Sequence, residues 1–217
     1  MPGADRLLAV LDRARTIGFL GPGPVEPHVE HARAFASLLD LSRMGPFVDL
    51  GSGGGVPGLV LATLLPETSW VLVDSMVRRT AFLEDAVERL GLAGRVQVVT
   101  ARAEEIGRDR AHRGTYPTVV ARSFGAPPVL AECAAPLLVR GGTVVVSEPP
   151  APDQADGPRP GRWPAAGLAL VGLALDRWDP GPPSLVRLRL TDRCPRTYPR
   201  QTGVPTRQPL WVVPGSV

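Results

Sequence analysis

The run Val48-Asp49-Leu50-Gly51-Ser52-Gly53-Gly54-Gly55-Val56-Pro57-Gly58 constrains the fold of this chain more than any other stretch. It reads as an apolar strand with an acid in it, then a glycine-rich turn, then a helix start. Glycine accepts positive φ and lets backbone come close to a ligand, so the layout predicts a strand-turn-helix cofactor crevice. Downstream the chain keeps the same rhythm. Strands are expected at 47–50, 70–73, 96–99, 118–121 and 143–147, with helices at 57–65, 78–90 and 129–138 between them. Such alternation predicts an α/β fold with a doubly wound, mostly parallel sheet covered on both faces.

The flanks differ from this centre. Residues 1–45 carry helical patterns at 6–20 and 26–42 and read as a helical N-terminal cap, leaving 46–217 as the main domain. Gly21-Pro22-Gly23-Pro24 separates the two helices, and Gly45-Pro46 ends the cap. The 149–164 stretch is proline-rich and reads as an extended insertion. Beyond it, 168–175 and 185–190 are apolar runs expected to add antiparallel edge strands. The second alternates Leu185, Arg187, Leu188, Arg189, Leu190, which suits a strand with one solvent-facing side.

At 217 residues with 44% hydrophobic content, the chain has the size of one packed domain. No apolar run is long enough to span a bilayer. Charges at Asp5, Arg6, Asp12 and Arg13 interrupt any signal-peptide core. The cysteines, Cys133 and Cys194, are too far apart to suggest a disulfide framework or a zinc site, and a cytoplasmic protein is expected. His28, His31 and His112 are scattered, so no metal site is expected. All 24 basic residues are arginine, the pattern of a GC-rich coding genome, and the net charge is a mild +3. Their placement says more. Between Arg187 and Arg207 arginines outnumber acids, with Asp192 the lone acid, so the 187–217 segment is either a phosphate-binding surface or a solvated tail.

In an open α/β sheet, ligands bind beyond the C-terminal strand ends. Asp49 and the glycines Gly51, Gly53 and Gly55 stand at the first such end. Gly53, Gly55 and Gly58 also fit a dinucleotide spacing, but a carboxylate at Asp49 would repel a pyrophosphate. It would favour a ligand with ammonium and sulfonium groups, that is, S-adenosylmethionine. Asp74 ends the second strand, placed either to accept hydrogen bonds from ribose hydroxyls or to cap the next helix. Ala101-Arg102-Ala103-Glu104-Glu105 follows the third strand; an acid beside a small residue suits an adenine amino group, or else caps a short helix. Arg122-Ser123-Phe124 follows the fourth, where an acceptor would meet the cofactor. Cys133 reads as core, and Trp163, Trp178 and Trp211 either line a pocket or anchor the proline-rich segment.

These segments together resemble one family. "VDLGSGGGVPG", "VLVDSMVRRTAFLEDAVERLGL", "VVTARAEEI", "VVARSF", "APLLVRGGTVVV" and "RTYPRQTGVPTRQPL" are similar to the ribosomal RNA small subunit methyltransferase G family, also called glucose-inhibited division protein B. "GFLGPGPVEPHVEHARAFASLL" is a fainter match to its N-terminal helices, with His31 at a histidine position. The resemblance implies a Rossmann-like class I methyltransferase that uses S-adenosylmethionine to methylate guanine N7 in 16S rRNA. It implies cofactor contacts from Gly51 and Val56, an adenine end held by Ala103 and Glu104, and Arg122 at the cofactor and guanine. N7 offers a lone pair, so the reaction needs alignment rather than a general base, and no catalytic acid or base is expected. Arg196, Arg200 and Arg207 are the expected RNA-phosphate contacts on the small subunit or its rRNA, with Tyr198 stacking on a base or packing the tail.

One departure stands out. Where the family commonly has a Leu-Lys-Gly-type segment after the fifth strand, this chain has Ser147-Glu148-Pro149. An outward-facing Glu148 would repel RNA phosphate. Two alternatives therefore stay open: a paralogue that methylates a small molecule, and a non-catalytic S-adenosylmethionine-binding protein.

Overall fold

The computed structural model describes residues 2–43, 45–149 and 158–214. Half of the proline-rich insertion, 150–157, lies outside the described residues. Seven strands form one sheet in the order β3-β2-β1-β4-β5-β7-β6. β1 (Phe47–Leu50), β2 (Trp70–Asp74), β3 (Val96–Thr100), β4 (Tyr116–Ala121) and β5 (Leu138–Ser147) run parallel. β7 (Leu185–Leu190) pairs antiparallel with β5, and β6 (Leu173–Asp179) pairs antiparallel with β7 at the edge. This is the doubly wound, mostly parallel sheet that the sequence predicts. The order reverses between β1 and β4, which opens the crevice at their C-terminal ends.

The strands read as runs of Val and Leu because both faces are buried. Val48, Leu50, Val71, Val73, Val119, Ala121, Val144 and Val146 face one core, which α6 (Pro127–Ala134) and α7 (Ala165–Ala169) complete through Leu130, Ala131 and Leu168. Phe47, Trp70, Leu72, Val120 and Val145 face the other. There they meet α3 (Gly58–Leu64) and α4 (Val77–Arg89) through Leu59, Leu61, Phe82 and Leu83. α1 (Pro2–Thr16) and α2 (Glu26–Phe35) share this second core through Val10, Ala14 and Phe35.

Several boundaries differ from the sequence expectation, each for a local reason. The helix expected at 129–138 ends at Ala134, continues as a 3-10 turn over Ala135–Leu137, and gives way to β5 at Leu138. Pro136 has no N–H to continue the α-helical ladder. Gly141-Gly142 lies inside β5, with Gly141 at φ 73°. The run 168–175, expected as a strand, is split at Gly172, whose φ of 79° turns the chain from α7 into β6. The helix expected at 26–42 ends at Phe35 and closes with a 3-10 turn. Among the described residues, no helix is long and apolar enough to cross a membrane.

Candidate active site

The glycine turn after β1 bends through positive φ at Gly51 (80°), Gly53 (53°) and Gly55 (94°). A side chain at Gly51 would put Cβ 2.8 Å from the Phe124 ring. At Gly58, a Cβ would lie 2.4 Å from Asp49 Cβ, so β1 and α3 meet with no room between them. Asp49 does not stand in the crevice, as its charge alone would suggest, but beneath the turn, fully buried. Its Oδ2 accepts the Gly58 amide at 2.8 Å, and its Oδ1 has no hydrogen-bond partner among the described residues. Burial pushes its pKa up to about 7, against the pull of the Gly58 hydrogen bond. The Val56 side chain is buried in a small core with Leu7, Leu11, Val25, Ala32 and Val60, so any contact with a ligand would come from the backbone of the turn.

A cleft of about 250 Å³ opens past the ends of β1, β2 and β3. Gly51, Asp74, Ala103, Glu104, Phe124 and Thr206 are among the residues lining it. Asp74 is nearly buried and does two jobs. Its Oδ2 accepts the Gly53 amide at 2.9 Å, tying β2 to the turn, and its Oδ1 accepts the Met76 amide at 2.9 Å ahead of α4. Glu104 opens the short α5 (Ala103–Ile106), and its Oε1 accepts the Gly203 amide at 2.8 Å. The capping role belongs to its neighbour, since Glu105 reaches back to the Arg102 amide at 3.2 Å.

The C-terminal segment is strapped across α5 and α6. Arg113 donates to the Tyr198 carbonyl at 2.6 Å and to the Pro195 carbonyl at 3.0 Å. Arg200 forms a two-pronged pair with Glu132, through Nε to Oε1 at 2.9 Å and Nη2 to Oε2 at 2.6 Å, and Glu132 is fully buried. Arg200, expected as a phosphate contact, is thus engaged by a carboxylate of the protein itself while its side chain stays partly exposed. The strap carries Thr206, two residues into α8 (Val204–Arg207), to the cofactor cleft. Tyr198 packs partly buried against the main core. Of the other expected RNA contacts, Arg207 lies beside Gly203, and Arg196 opens onto a groove with Arg108, Arg110, Arg113, Arg140 and Arg193. Among the described residues, no carboxylate lines that groove.

A second pocket, of about 360 Å³, adjoins the cleft. Ser123 and Phe124 line both, and Ser123 holds φ 53°, a conformation a non-glycine residue adopts only at some cost in strain. His31, Arg122, Glu148, Arg162 and Trp163 line the second pocket. Arg122 shares one hydrogen bond with His28 Nδ1 at 2.9 Å, while its Nη1 is buried and unpartnered among the described residues. Burial and the Arg122 charge push His31 down to about 4, so it is neutral at pH 7. Glu148 does not face outward: Arg162 pairs with it through Nε to Oε2 at 2.6 Å and Nη2 to Oε1 at 3.1 Å. The arginine partner thus neutralises the charge reversal seen in the sequence.

Sequence reasoning singles out Arg122 and, through the resemblance, His31, but not His28, which bonds to Arg122. His28 and His31 are three residues apart on α2, a helical spacing that puts them on one face. Nothing local marks Arg162 as the partner of Glu148, because the contact depends on how the chain returns after the insertion.

The family model described as rRNA small subunit methyltransferase G matches residues 25–148. The Ribosomal RNA small subunit methyltransferase G of Rubrobacter xylanophilus is 40% identical over 212 residues, covering 94% of this chain and 80% of that protein. The cofactor-bound structure of Rv0187 from MTB superposes with a TM-score of 0.56 at 17% identity, covering 89% of this chain and 91% of that one. An O-methyltransferase family protein from Burkholderia thailandensis superposes at 0.55 and 16% identity, covering 78% and 56%. These two likenesses speak for the fold alone. With that model matching more than half of the chain and that relative 40% identical over most of both proteins, the chain belongs to the rRNA small subunit methyltransferase G family.

Proposed function

We propose that this methyltransferase transfers a methyl group to N7 of a guanine in 16S rRNA, on the small subunit or on its free rRNA. When bound, S-adenosylmethionine supplies a sulfonium-activated methyl group. The residues present fit that ligand. Gly51, Asp74, Ala103 and Glu104 all line the crevice, where Gly51 and Asp74 would face the ribose and Ala103 and Glu104 would hold the adenine end.

The observation that carries this reading is the shared wall: the cleft and the second pocket meet at Ser123 and Phe124, at the C-terminal end of β4. A base entering the second pocket would approach the cleft at that wall. N7 needs no proton removed, so alignment is the whole task, and the neutral His31 is not required as a base. The cost of unstacking the base, a few kcal/mol, falls to contacts elsewhere on the RNA, for which Arg196 and its groove are the candidates. The Glu148–Arg162 pair removes the electrostatic objection to RNA that favours a small-molecule acceptor. Mass spectrometry of rRNA nucleosides from a strain lacking this gene, against its parent, tests the reading. Loss of N7-methylguanosine at one site supports it, and an unchanged rRNA profile overturns it.

A further inference from the structure

Phe124 is the aromatic residue at the place where the cleft and the second pocket meet. The chain has five phenylalanines, and four of them lie against another ring: Phe19 and Phe82 against each other, Phe35 against His31, and Phe47 against Trp70. Phe124 has no ring partner among the described residues, and no guanidinium of those residues lies over it. It is half-buried, packed on the main core with part of its surface while the rest lines both cavities. An aromatic ring left unpaired in a cleft offers a surface on which a planar ligand can stack.

The surrounding backbone fixes how the ring lies. Ser123 before it holds φ 53°, and Gly125 after it holds φ 153°. Strain of this kind persists only where the neighbouring structure over-determines it. Gly51 stands opposite. A Cβ placed there would lie 2.8 Å from Phe124 Cδ2, with Cε2 at 3.6 Å and Cγ at 3.8 Å. The two neighbouring carbons are almost equally remote and both well beyond Cδ2, which is the pattern of an approach in the plane of the ring. An approach over a face would bring the three carbons to more similar distances. Phe124 therefore turns its edge to the glycine turn, and its plane points at the rim of the cofactor cleft.

That orientation matters for the reaction. The N7 lone pair lies in the plane of the purine, so the methyl group must reach N7 along that plane. A base stacked parallel to Phe124 shares its plane direction and can aim N7 at the cleft. Had the ring turned a face to the glycine turn, a base stacked on it would present its own face to the methyl group, where N7 has no lone pair.

We infer that Phe124 touches the substrate directly: its ring stacks on the guanine drawn out of the rRNA and holds the plane of the base in line with the methyl donor. This rests on the reading of the chain as a guanine-N7 methyltransferase. The same stacking offsets part of the cost of taking the base out of its RNA stack.

A cycle of two changes, one in the protein and one in the RNA, provides the test. Small-subunit rRNA is prepared with guanosine or with an abasic residue at the nucleotide that the wild type methylates, and its Kd is measured for enzyme saturated with S-adenosylhomocysteine. Phe124→Leu should lower the abasic-to-guanosine ratio of Kd values by about tenfold relative to the wild type. Phe124→Tyr keeps the ring and should hold that ratio within about twofold of the wild type. Loss of a merely structural contact would weaken both RNAs alike and leave the ratio in place. Phe124→Leu should also slow single-turnover methyl transfer at saturating rRNA by about tenfold or more, because the base loses its alignment. If Phe124→Leu does not melt cooperatively, Phe124→Met replaces it with the same expected fall in the ratio. An unmoved ratio in the folded variant, with or without a loss of S-adenosylmethionine affinity, shows the ring serving the cofactor or the fold and overturns the assignment alone. Failure of the wild type to methylate any guanosine of the rRNA overturns the underlying reading, and the assignment with it.

Discussion

Asp49 shows how a correct residue can be legible in sequence while its environment is not. The acid at the end of β1 is plain in the primary structure, but its full burial depends on Gly58 bringing α3 against it. The consequence is a pH effect. With the folded pKa raised from 3.8 to about 7, the native state holds a proton that the unfolded chain has released. Stability from this group is therefore present at low pH and is lost as pH rises from about 4 through about 7. Asp49→Asn should flatten that dependence in thermal melts taken across this range. Gly58→Ala tests the packing itself. The new methyl group would overlap Asp49 and Leu72, so a loss of about 1–3 kcal/mol is expected in denaturant titration.

At the scale of elements, the five parallel strands are readable because burial on both faces leaves unbroken Val and Leu runs, and because glycines punctuate them. The boundaries around α6 and β5 are less so. Leu137 and Leu138 continue the apolar pattern across Pro136, and periodicity alone cannot say where helix yields to strand. Least legible is the C-terminal strap, since charge density reads the same for an arginine that binds RNA and one that binds the protein. Arg200 and Arg196, four residues apart, separate the two cases. Arg200→Ala leaves Glu132 buried without its cation, which should destabilise the fold by about 3–5 kcal/mol and lower the melting temperature sharply. Arg200→Lys should recover only part of this, because an ammonium cannot match the paired geometry. Arg196→Ala should leave the melting temperature within about 1 °C and weaken rRNA binding instead. Equal melting temperatures for Arg196→Ala and Arg200→Ala would show that the strap is not holding the domain.

The cofactor cleft and the arginine groove lie at opposite ends of one sheet. The cofactor cleft and the second pocket lie beyond the C-terminal ends of the parallel strands. The arginine groove includes Gly114, Pro136 and Leu138, which precede or begin β4 and β5, so it lies at their N-terminal ends. An RNA that inserts one base into the pocket and rests its backbone in the groove must run along the side of the domain that the strap covers. Phosphate contacts there would be independent of sequence and sensitive to salt, whereas contacts in the pocket would be neither. Replacing Arg110, Arg140 and Arg193 together by alanine should therefore reduce the slope of log affinity against log salt by about 3, roughly one unit per cation. Binding of S-adenosylmethionine, read by calorimetry, should not change, because none of these residues lines the cleft. kcat at saturating rRNA should also hold while KM rises, since the groove acts on docking and not on alignment at N7. If the salt slope stays at its wild-type value, the groove is not on the RNA path, and the docking surface must instead be sought around the pocket mouth.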